Sequence, residues 1–139
     1  MDLTVVIPVY NEEESIQELA EWIERVSSSG NISYEIIFID DGSTDSSWQQ
    51  ISGLVGKNNS VKGFRFRRNY GKAAALHTGF ANASGEVVIT MDSDLQDSPD
   101  EIPDLVRMIR EDGFDIVSGW KKKRYDPFIK RTTSRFYNL

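Results

Sequence analysis

Two aspartates, Asp92 and Asp94, are separated by one residue and follow directly after the apolar segment 86–91. Hard cations such as Mg²⁺ and Mn²⁺ prefer oxygen ligands, and Mg²⁺ is commonly held by one or two carboxylates together with phosphate oxygens. The pair therefore predicts a divalent-metal site that a bound diphosphate would complete. The alternative is a polar cluster that caps the following helix, although Ser93 or Asp97 alone would suffice for that.

Composition restricts the kind of metal site that is available. The chain has no cysteine and one histidine, which excludes thiolate and multi-histidine sites. Any bound metal ion is therefore expected to have oxygen ligands.

A second acidic pair, Asp40 and Asp41, follows the apolar segment 34–39 and precedes Gly42. A turn needs only one Asx residue and one glycine, so two carboxylates exceed what the turn requires. In dinucleotide-binding folds, a carboxylate at a strand end accepts a hydrogen bond from a ribose hydroxyl. We therefore expect a nucleoside to bind here, and a plain turn is the competing interpretation.

Two further polar segments follow apolar runs. Residues 8–14 contain a proline, a Tyr–Asn pair and three glutamates, a pattern that is typical of a helix start. Residues 65–72 are basic and end in Gly71 and Lys72; their backbone N–H groups and the lysine suit a phosphate or help to place the acidic loops. Neither GxxxxGK[ST] nor GxGxxG occurs, which excludes a P-loop and disfavours a nicotinamide dinucleotide.

The elements that must position these segments alternate along the chain. Apolar runs predict strands at Leu3–Val9, Tyr34–Ile39, Val61–Phe66, Glu86–Met91 and Ile116–Ser118. Helical periodicity predicts helices over 16–26, 48–55, 72–83 and 102–109. Apolar strands separated by helices indicate the α/β class, with a parallel sheet covered on both faces. Ligands of such sheets bind outside the carboxyl ends of the strands, so the four polar segments should meet at one edge.

Length and charge limit the possible functions. The 139 residues suit one domain, and no apolar run approaches the roughly 20 residues that span a bilayer. Residues 1–61 contain two basic and eleven acidic residues, whereas residues 120–139 contain seven basic residues and one acidic residue. The C-terminal segment therefore predicts a negatively charged partner, and a solvated basic tail is the alternative.

Taken together, the four segments resemble family 2 glycosyltransferases of the GT-A fold, and more narrowly the polyprenyl-phosphate sugar transferases. The motifs that carry this resemblance are Val6–Glu12, Asp40–Asp45, Arg68–Lys72 and Asp92–Asp97. The resemblance implies a Rossmann-like nucleotide-diphospho-sugar transferase fold with a mostly parallel sheet. It also implies that the chain is truncated: residues 1–119 would be the donor-binding part, and residues 120–139 would begin the acceptor side.

The resemblance implies roles for individual residues. Nucleotide-sugar binding would fall to Pro8, Tyr10, Glu12, Ile39, Asp41, Asp92 and Ser93, and Lys72 joins them as a candidate phosphate contact. Asp92 and Asp94 would bracket Mg²⁺ or Mn²⁺, with Gln96 as a further ligand. The catalytic residues would be Asp94, Lys130 and Arg131. Of these, Lys130 and Arg131 would contact the donor or acceptor phosphate.

The implied reaction is the inverting, metal-dependent transfer of a sugar from a UDP- or GDP-linked donor to a polyprenyl phosphate. An ionised phosphate acceptor needs positioning and charge screening more than a strong base. The expected partners are a nucleotide-sugar, a polyprenyl phosphate and, for the whole protein, the cytoplasmic surface of a membrane; no nucleic acid is expected. The fragment itself is expected to be soluble and to turn over poorly.

Two other functions remain open. One is a family 2 enzyme that extends a polysaccharide by attack of a sugar hydroxyl, and the other is a non-catalytic nucleotide-binding or protein-interaction module. The aromatic residues among the bases of segment 128–139 suit the start of an interfacial amphipathic helix, with core packing as an equal alternative. The donor base, the sugar and the oligomeric state cannot be read from the sequence.

Overall fold

The computed structural model of the protein describes residues 1–119. Its strands are β1 (Leu3–Val9), β2 (Tyr34–Asp40), β3 (Val61–Arg65) and β4 (Val87–Thr90). They form one parallel sheet in the order β3-β2-β1-β4. The helices are α1 (Ile16–Ser29), α2 (Ser47–Lys57), α3 (Lys72–Ala81) and α4 (Ile102–Arg110), with a short 3-10 helix at Pro99–Glu101 before α4. The predicted α/β class and parallel sheet are confirmed.

The sheet is apolar on both faces because helices cover both of them. Successive residues of a strand point to opposite faces, and the two central strands carry apolar side chains at nearly every position. One face packs against α1, α2 and α4, and Phe38 is a fully buried member of that cluster. On the other face, Val6, Ile37 and Ile39 pack against Ala75 of α3.

Helix α3 approaches the sheet closely at Gly79. A Cβ atom at this position would lie 2.2 Å from Cγ1 of Val6 and 3.1 Å from Cδ1 of Ile39. The missing side chain therefore lets α3 lie directly on β1 and β2. This packing fixes the helix whose first residue is Lys72.

The predicted fifth strand is wrong. Within residues 1–119, the segment Ile116–Ser118 is irregular, and the side chain of Ile116 is 87% exposed. A run of three residues offers few backbone hydrogen bonds, and it follows Gly113, whose φ of 77° interrupts an extended chain. In the described part of the chain, β4 is consequently an edge strand.

Smaller differences occur at element ends. Strand β4 is one residue shorter at each end than predicted, and α3 ends at Ala81 rather than Ala83 because the chain turns at residues 82–85. None of the helices within residues 1–119 combines the length and apolarity needed to cross a bilayer.

Candidate nucleotide and metal site

A cleft of about 270 Å³ opens at the carboxyl-terminal edge of the sheet. Its walls are the last residues of β1 and the segments that follow the strands, as the parallel topology requires. The lining residues are Pro8, Val9, Tyr10, Glu12, Asp41, Lys72, Asp92, Ser93 and Asp94. The structure thus brings together eight of the predicted site residues, which are spread over 86 positions in the sequence, from Pro8 to Asp94.

Asn11 joins the loops that follow β1 and β2. Its φ of 52° is left-handed, and its side-chain Oδ1 accepts hydrogen bonds from the backbone N–H of Thr44 at 2.8 Å and of Asp45 at 3.3 Å. Its own N–H donates to Oγ of Ser43 at 2.9 Å. The helix start that the pattern of residues 8–14 indicates lies later in the structure, because α1 begins at Ile16. Asn11 instead holds the neighbouring residues Tyr10 and Glu12 against the second loop.

Asp41 organises the loop before α3. Its side chain is 5% exposed, and its two carboxylate oxygens accept hydrogen bonds from the backbone N–H of Tyr70 at 2.7 Å and of Gly71 at 3.1 Å. Each carboxylate oxygen can accept a second hydrogen bond, so a ribose or base donor remains compatible with this role. The left-handed φ of 101° at Gly71 then directs the chain into α3 and places Lys72 at the cleft.

The neighbouring carboxylate of Asp40 points into the protein. Its side chain is completely buried; Oδ1 accepts a hydrogen bond from the backbone N–H of Ser43 at 3.1 Å, and Oδ2 lies 3.7 Å from Nε of Arg65. The two aspartates therefore have different positions. Asp41 lines the cleft, and Asp40 supports the turn beneath it.

The loop that contains Asp92 and Asp94 is held by its own side chains. The backbone N–H of Asp92 donates to Oδ2 of Asp97 at 2.9 Å, and the N–H of Gln96 donates to Oδ1 of Asp94 at 3.2 Å. Leu95, between Asp94 and Gln96, adopts a left-handed φ of 64°. The sequence indicates Asp97 only as a candidate helix cap and gives no signal of its contact with the backbone N–H of Asp92.

Lys72 forms an ion pair inside the cleft. Its Nζ lies 2.5 Å from Oδ1 of Asp92, although the two side chains are 62% and 39% exposed. Of the residues within 1–119 that line the cleft, Lys72 is the basic one, and it faces Glu12, Asp41, Asp92 and Asp94. This described lining thus carries an excess of negative charge.

The pKa of the Glu12 carboxyl group reflects this excess of negative charge. Partial burial raises the pKa of its carboxyl group, and the charge of Asp94 raises it further, whereas a hydrogen bond from Ser15 opposes the shift. A carboxyl group whose ionisation is disfavoured in this way indicates a site that would gain from an added cation. Among residues 1–119, no three His, Asp or Glu side chains are arranged so that they could hold a metal ion by themselves. Asp92 and Asp94 nevertheless provide the hard oxygen atoms and the negative charge that suit Mg²⁺ or Mn²⁺.

Four predicted residues are not placed in the cleft. Ile39 is fully buried in the cluster beneath α3 and is not among the residues that line the cleft, and its predicted contact with the base or ribose stays a prediction. Gln96 lines a different groove, of about 920 Å³, which runs along β4. Lys130 and Arg131 lie outside the described residues, as does the basic segment 120–139.

Solved glycosyltransferase structures share this fold. A mannosyltransferase from Pyrobaculum calidifontis in complex with GDP-Man and Mn²⁺ is 26% identical with a TM-score of 0.68, and the match covers 78% of this chain and 32% of that one. Glucosyl-3-phosphoglycerate synthase from Mycobacterium tuberculosis in complex with UDP is 26% identical with a TM-score of 0.69, covering 88% of this chain and 45% of that one. The predicted GT-A fold is confirmed.

Sequence relatives agree with the narrower resemblance. Proteins called undecaprenyl-phosphate 4-deoxy-4-formamido-L-arabinose transferase are 40% identical to the chain, over 137 residues in Proteus mirabilis and over 138 residues in Salmonella choleraesuis. These matches cover 98% and 99% of the chain. The chain spans 42% of the length of either relative.

The family model described as "Glycosyl transferase family 2" matches residues 4–138, almost the entire chain. Its match includes all four motifs at the edge of the sheet. The resemblance to family 2 glycosyltransferases that the motifs indicated is therefore confirmed, and the chain belongs to glycosyl transferase family 2.

Proposed function

We propose that the protein transfers a sugar from a nucleotide-diphosphate donor to a polyprenyl phosphate, with inversion at the anomeric carbon. In this reaction, the bond between the anomeric carbon and the donor diphosphate breaks, and the nucleoside diphosphate leaves with the electron pair. An oxygen of the acceptor phosphate forms the new bond. Residues 1–119 would bind the donor, and residues 120–139 would begin the acceptor side, at the cytoplasmic surface of a membrane.

The observation that carries this proposal is the cleft itself. Asp41, Lys72 and the Asp92–Asp94 segment follow three different strands and line one cavity at the edge where α/β folds bind ligands. Tyr10, which is 48% exposed as a residue, adds its ring at the same cavity, where a nucleobase or sugar can pack against it. The names of the relatives supply the acceptor class, undecaprenyl phosphate.

Asp92 and Asp94 are the residues that would hold Mg²⁺ or Mn²⁺, and Gln96 remains a proposed further ligand. When bound, the metal ion would neutralise the diphosphate leaving group as a Lewis acid. The chain's own residues orient the donor: the hydrogen bonds of Asp97 and Asp94 with backbone N–H groups hold the loop before any ligand arrives. Such preorganisation lowers the cost of binding and of reaching the transition state.

The acceptor phosphate needs less activation by the protein than a sugar hydroxyl would. Its second ionisation has a pKa of about 6, so an acceptor oxygen is largely deprotonated near neutral pH. We propose that Lys130 and Arg131 position this phosphate and screen its charge. A strong general base is then unnecessary, in contrast to an enzyme that activates a sugar hydroxyl.

Donor binding can be tested with residues 1–139. Calorimetric titration with UDP and with GDP, each with Mn²⁺ and with EDTA, should give metal-dependent binding of one nucleotide in the micromolar to millimolar range. Asp94→Asn should abolish the metal-dependent part, whereas Asp104→Asn, on the exposed first turn of α4, should leave it unchanged. Folded protein that binds neither nucleotide with Mn²⁺ would contradict the proposal.

The acceptor class requires the whole protein, because the chain corresponds to 42% of its relatives' length. Incubation with nucleotide-sugars and either polyprenyl phosphate or a glycan acceptor should yield product only with the lipid phosphate. Transfer to the glycan alone would favour a polysaccharide-extending enzyme. Undiminished donor binding and transfer by the Asp94→Ala variant would reject the metal role.

A further inference from the structure

The ion pair between Lys72 and Asp92 connects a cation to the carboxylate that is proposed to bind a metal. The 2.5 Å contact involves Oδ1 of Asp92, and both side chains are reachable by solvent. An exposed pair of this kind contributes little stability and can open readily. Asp92 is therefore neutralised in the ligand-free protein by a group that can be displaced.

The loop around Asp92 does not depend on Lys72 for its shape. The backbone N–H of Asp92 is held by Asp97 at 2.9 Å, and the carbonyl oxygen of Ser93 accepts a hydrogen bond from Oγ of Ser15 at 2.5 Å. These contacts restrain the backbone on both sides of the Asp92 Cα atom. The ammonium group adds mainly positive charge to a cleft that contains four carboxylates.

The base of the lysine side chain is fixed, whereas its end is free to move. Asp41 accepts hydrogen bonds from the backbone N–H groups of Tyr70 and Gly71, which immediately precede Lys72. Lysine carries its charge on a flexible four-carbon stem. The ammonium can therefore move within the cleft while the start of α3 stays in place.

On this basis, and resting on the proposed function, we propose that Lys72 is an exchangeable counter-ion. It neutralises Asp92 in the donor-free protein, leaves the carboxylate when a divalent cation binds with the donor, and then pairs with the donor diphosphate. The exchange follows from charge: a divalent cation and an ammonium repel each other at one carboxylate, and the arriving diphosphate supplies new negative charge nearby. No covalent bond or proton transfer is involved.

The exchange predicts that Lys72→Met strengthens the binding of Mn²⁺ alone and weakens the binding of the nucleotide. Because a competing cation is removed, Mn²⁺ alone should bind the variant about fivefold more tightly than the wild type. Because a phosphate partner is lost, UDP or GDP with saturating Mn²⁺ should bind about tenfold more weakly. Electron paramagnetic resonance of free Mn²⁺ measures the first affinity, and calorimetry measures the second.

Matched variants separate this effect from general charge loss and from misfolding. Lys57→Met removes one positive charge from the exposed end of α2 and should leave both affinities unchanged. Adding Asp92→Asn to Lys72→Met should abolish the gained Mn²⁺ affinity. Lys72→Gln should repeat the result, and circular dichroism identifies any variant that fails to fold.

The outcomes are distinct from those that test the proposed function. Unchanged or weaker Mn²⁺ binding by folded Lys72→Met and Lys72→Gln overturns the counter-ion role, even if nucleotide binding falls. Tighter Mn²⁺ binding with unchanged nucleotide affinity overturns the transfer of Lys72 to the diphosphate. If the wild type binds neither nucleotide with Mn²⁺, the proposed function fails, whereas the Mn²⁺ titration still tests the pairing of Lys72 with Asp92.

Discussion

The side-chain Oγ of Ser15 donates a hydrogen bond of 2.5 Å to the backbone carbonyl of Ser93, 78 positions later in the sequence. Ser15 precedes the first turn of α1, and both residues are buried. Ser93 lies between Asp92 and Asp94. The start of α1 therefore fixes the backbone from which the two proposed metal ligands project.

Ser15→Ala should loosen this loop. Removal of the hydroxyl leaves the buried carbonyl of Ser93 without this donor, and we expect the free energy of unfolding to fall by about 1–2 kcal/mol. Metal-dependent nucleotide affinity should fall several-fold, because Asp92 and Asp94 must then be ordered on binding. Urea unfolding and calorimetry provide the measurements. Ser29→Ala, at the exposed end of the same helix, is the control; equal effects of the two substitutions would argue against the role of Ser15.

Gly42, after β2, lies tightly against the backbone of the loop that follows β3. Its φ is +76°, and a Cβ atom would lie 2.4 Å from the backbone carbon of Arg68. Gly42→Ala should therefore lower the free energy of unfolding by about 2 kcal/mol or more, since the clash with backbone adds to the cost of the left-handed conformation. Gly53→Ala, in α2 where a Cβ meets no atom within 4 Å, should instead raise it by about 0.5–1 kcal/mol. Chemical denaturation of both variants tests the contrast, and two changes of the same sign would contradict it.

Much of the fold followed from periodicity in the sequence. The central strands are buried on both faces, so their apolar runs are nearly continuous, and helix α1 shows one clear apolar stripe. The segment Ile116–Ser118 has the same composition as a strand but is irregular and exposed in the structure. Composition indicates which residues can form a strand, whereas pairing depends on a neighbour that a short run does not specify.

The members of the site were easier to predict than their contacts. Parallel topology alone places the segments after successive strands at one edge, which explains why Tyr10, Asp41 and Asp92 meet. The inward orientation of Asp40 and the positive φ of Asn11 depend on hydrogen bonds between loops distant in sequence. Those bonds leave no periodic signal, although asparagine is among the residues that tolerate a left-handed conformation.

Ionised Glu12 is expected to strengthen Mn²⁺-dependent nucleotide binding and to lower the free energy of unfolding. Because burial and the charge of Asp94 raise the pKa of its carboxyl group, ionised Glu12 destabilises the folded state at pH values above the pKa. Glu12→Gln should therefore raise the free energy of unfolding at pH 7, with a smaller gain at pH 4, and should weaken Mn²⁺-dependent nucleotide binding. Denaturation at the two pH values and calorimetry measure these effects. Glu24→Gln, on an exposed position of α1, controls for net charge; a stability loss specific to Glu12→Gln at pH 7 would refute the argument.

A buried polar network lies at the opposite, amino-terminal edge of the sheet. Glu35 of β2 accepts hydrogen bonds from Oγ1 of Thr4, Nζ of Lys62 and the backbone N–H of Ser84, each at 2.7 Å. Burial alone would raise the pKa of Glu35, but Lys62 and the other two donors outweigh it and lower the pKa to about 2. Ionisation of Glu35 is therefore favoured far more in the folded state than in the unfolded chain.

This network should set the acid stability of the domain. A lowered folded pKa contributes stability that is fully present above the unfolded pKa of about 4.5 and is lost as the pH falls towards 2, amounting to roughly 3 kcal/mol at neutral pH. Glu35→Gln should lower stability at pH 7 and flatten the loss between pH 4.5 and 2, whereas Glu24→Gln should retain the wild-type slope. Urea unfolding across this range measures both. Because the network lies away from the cleft, folded Glu35→Gln should keep wild-type nucleotide affinity at pH 7, and a large loss of that affinity would show that the two edges of the sheet are coupled.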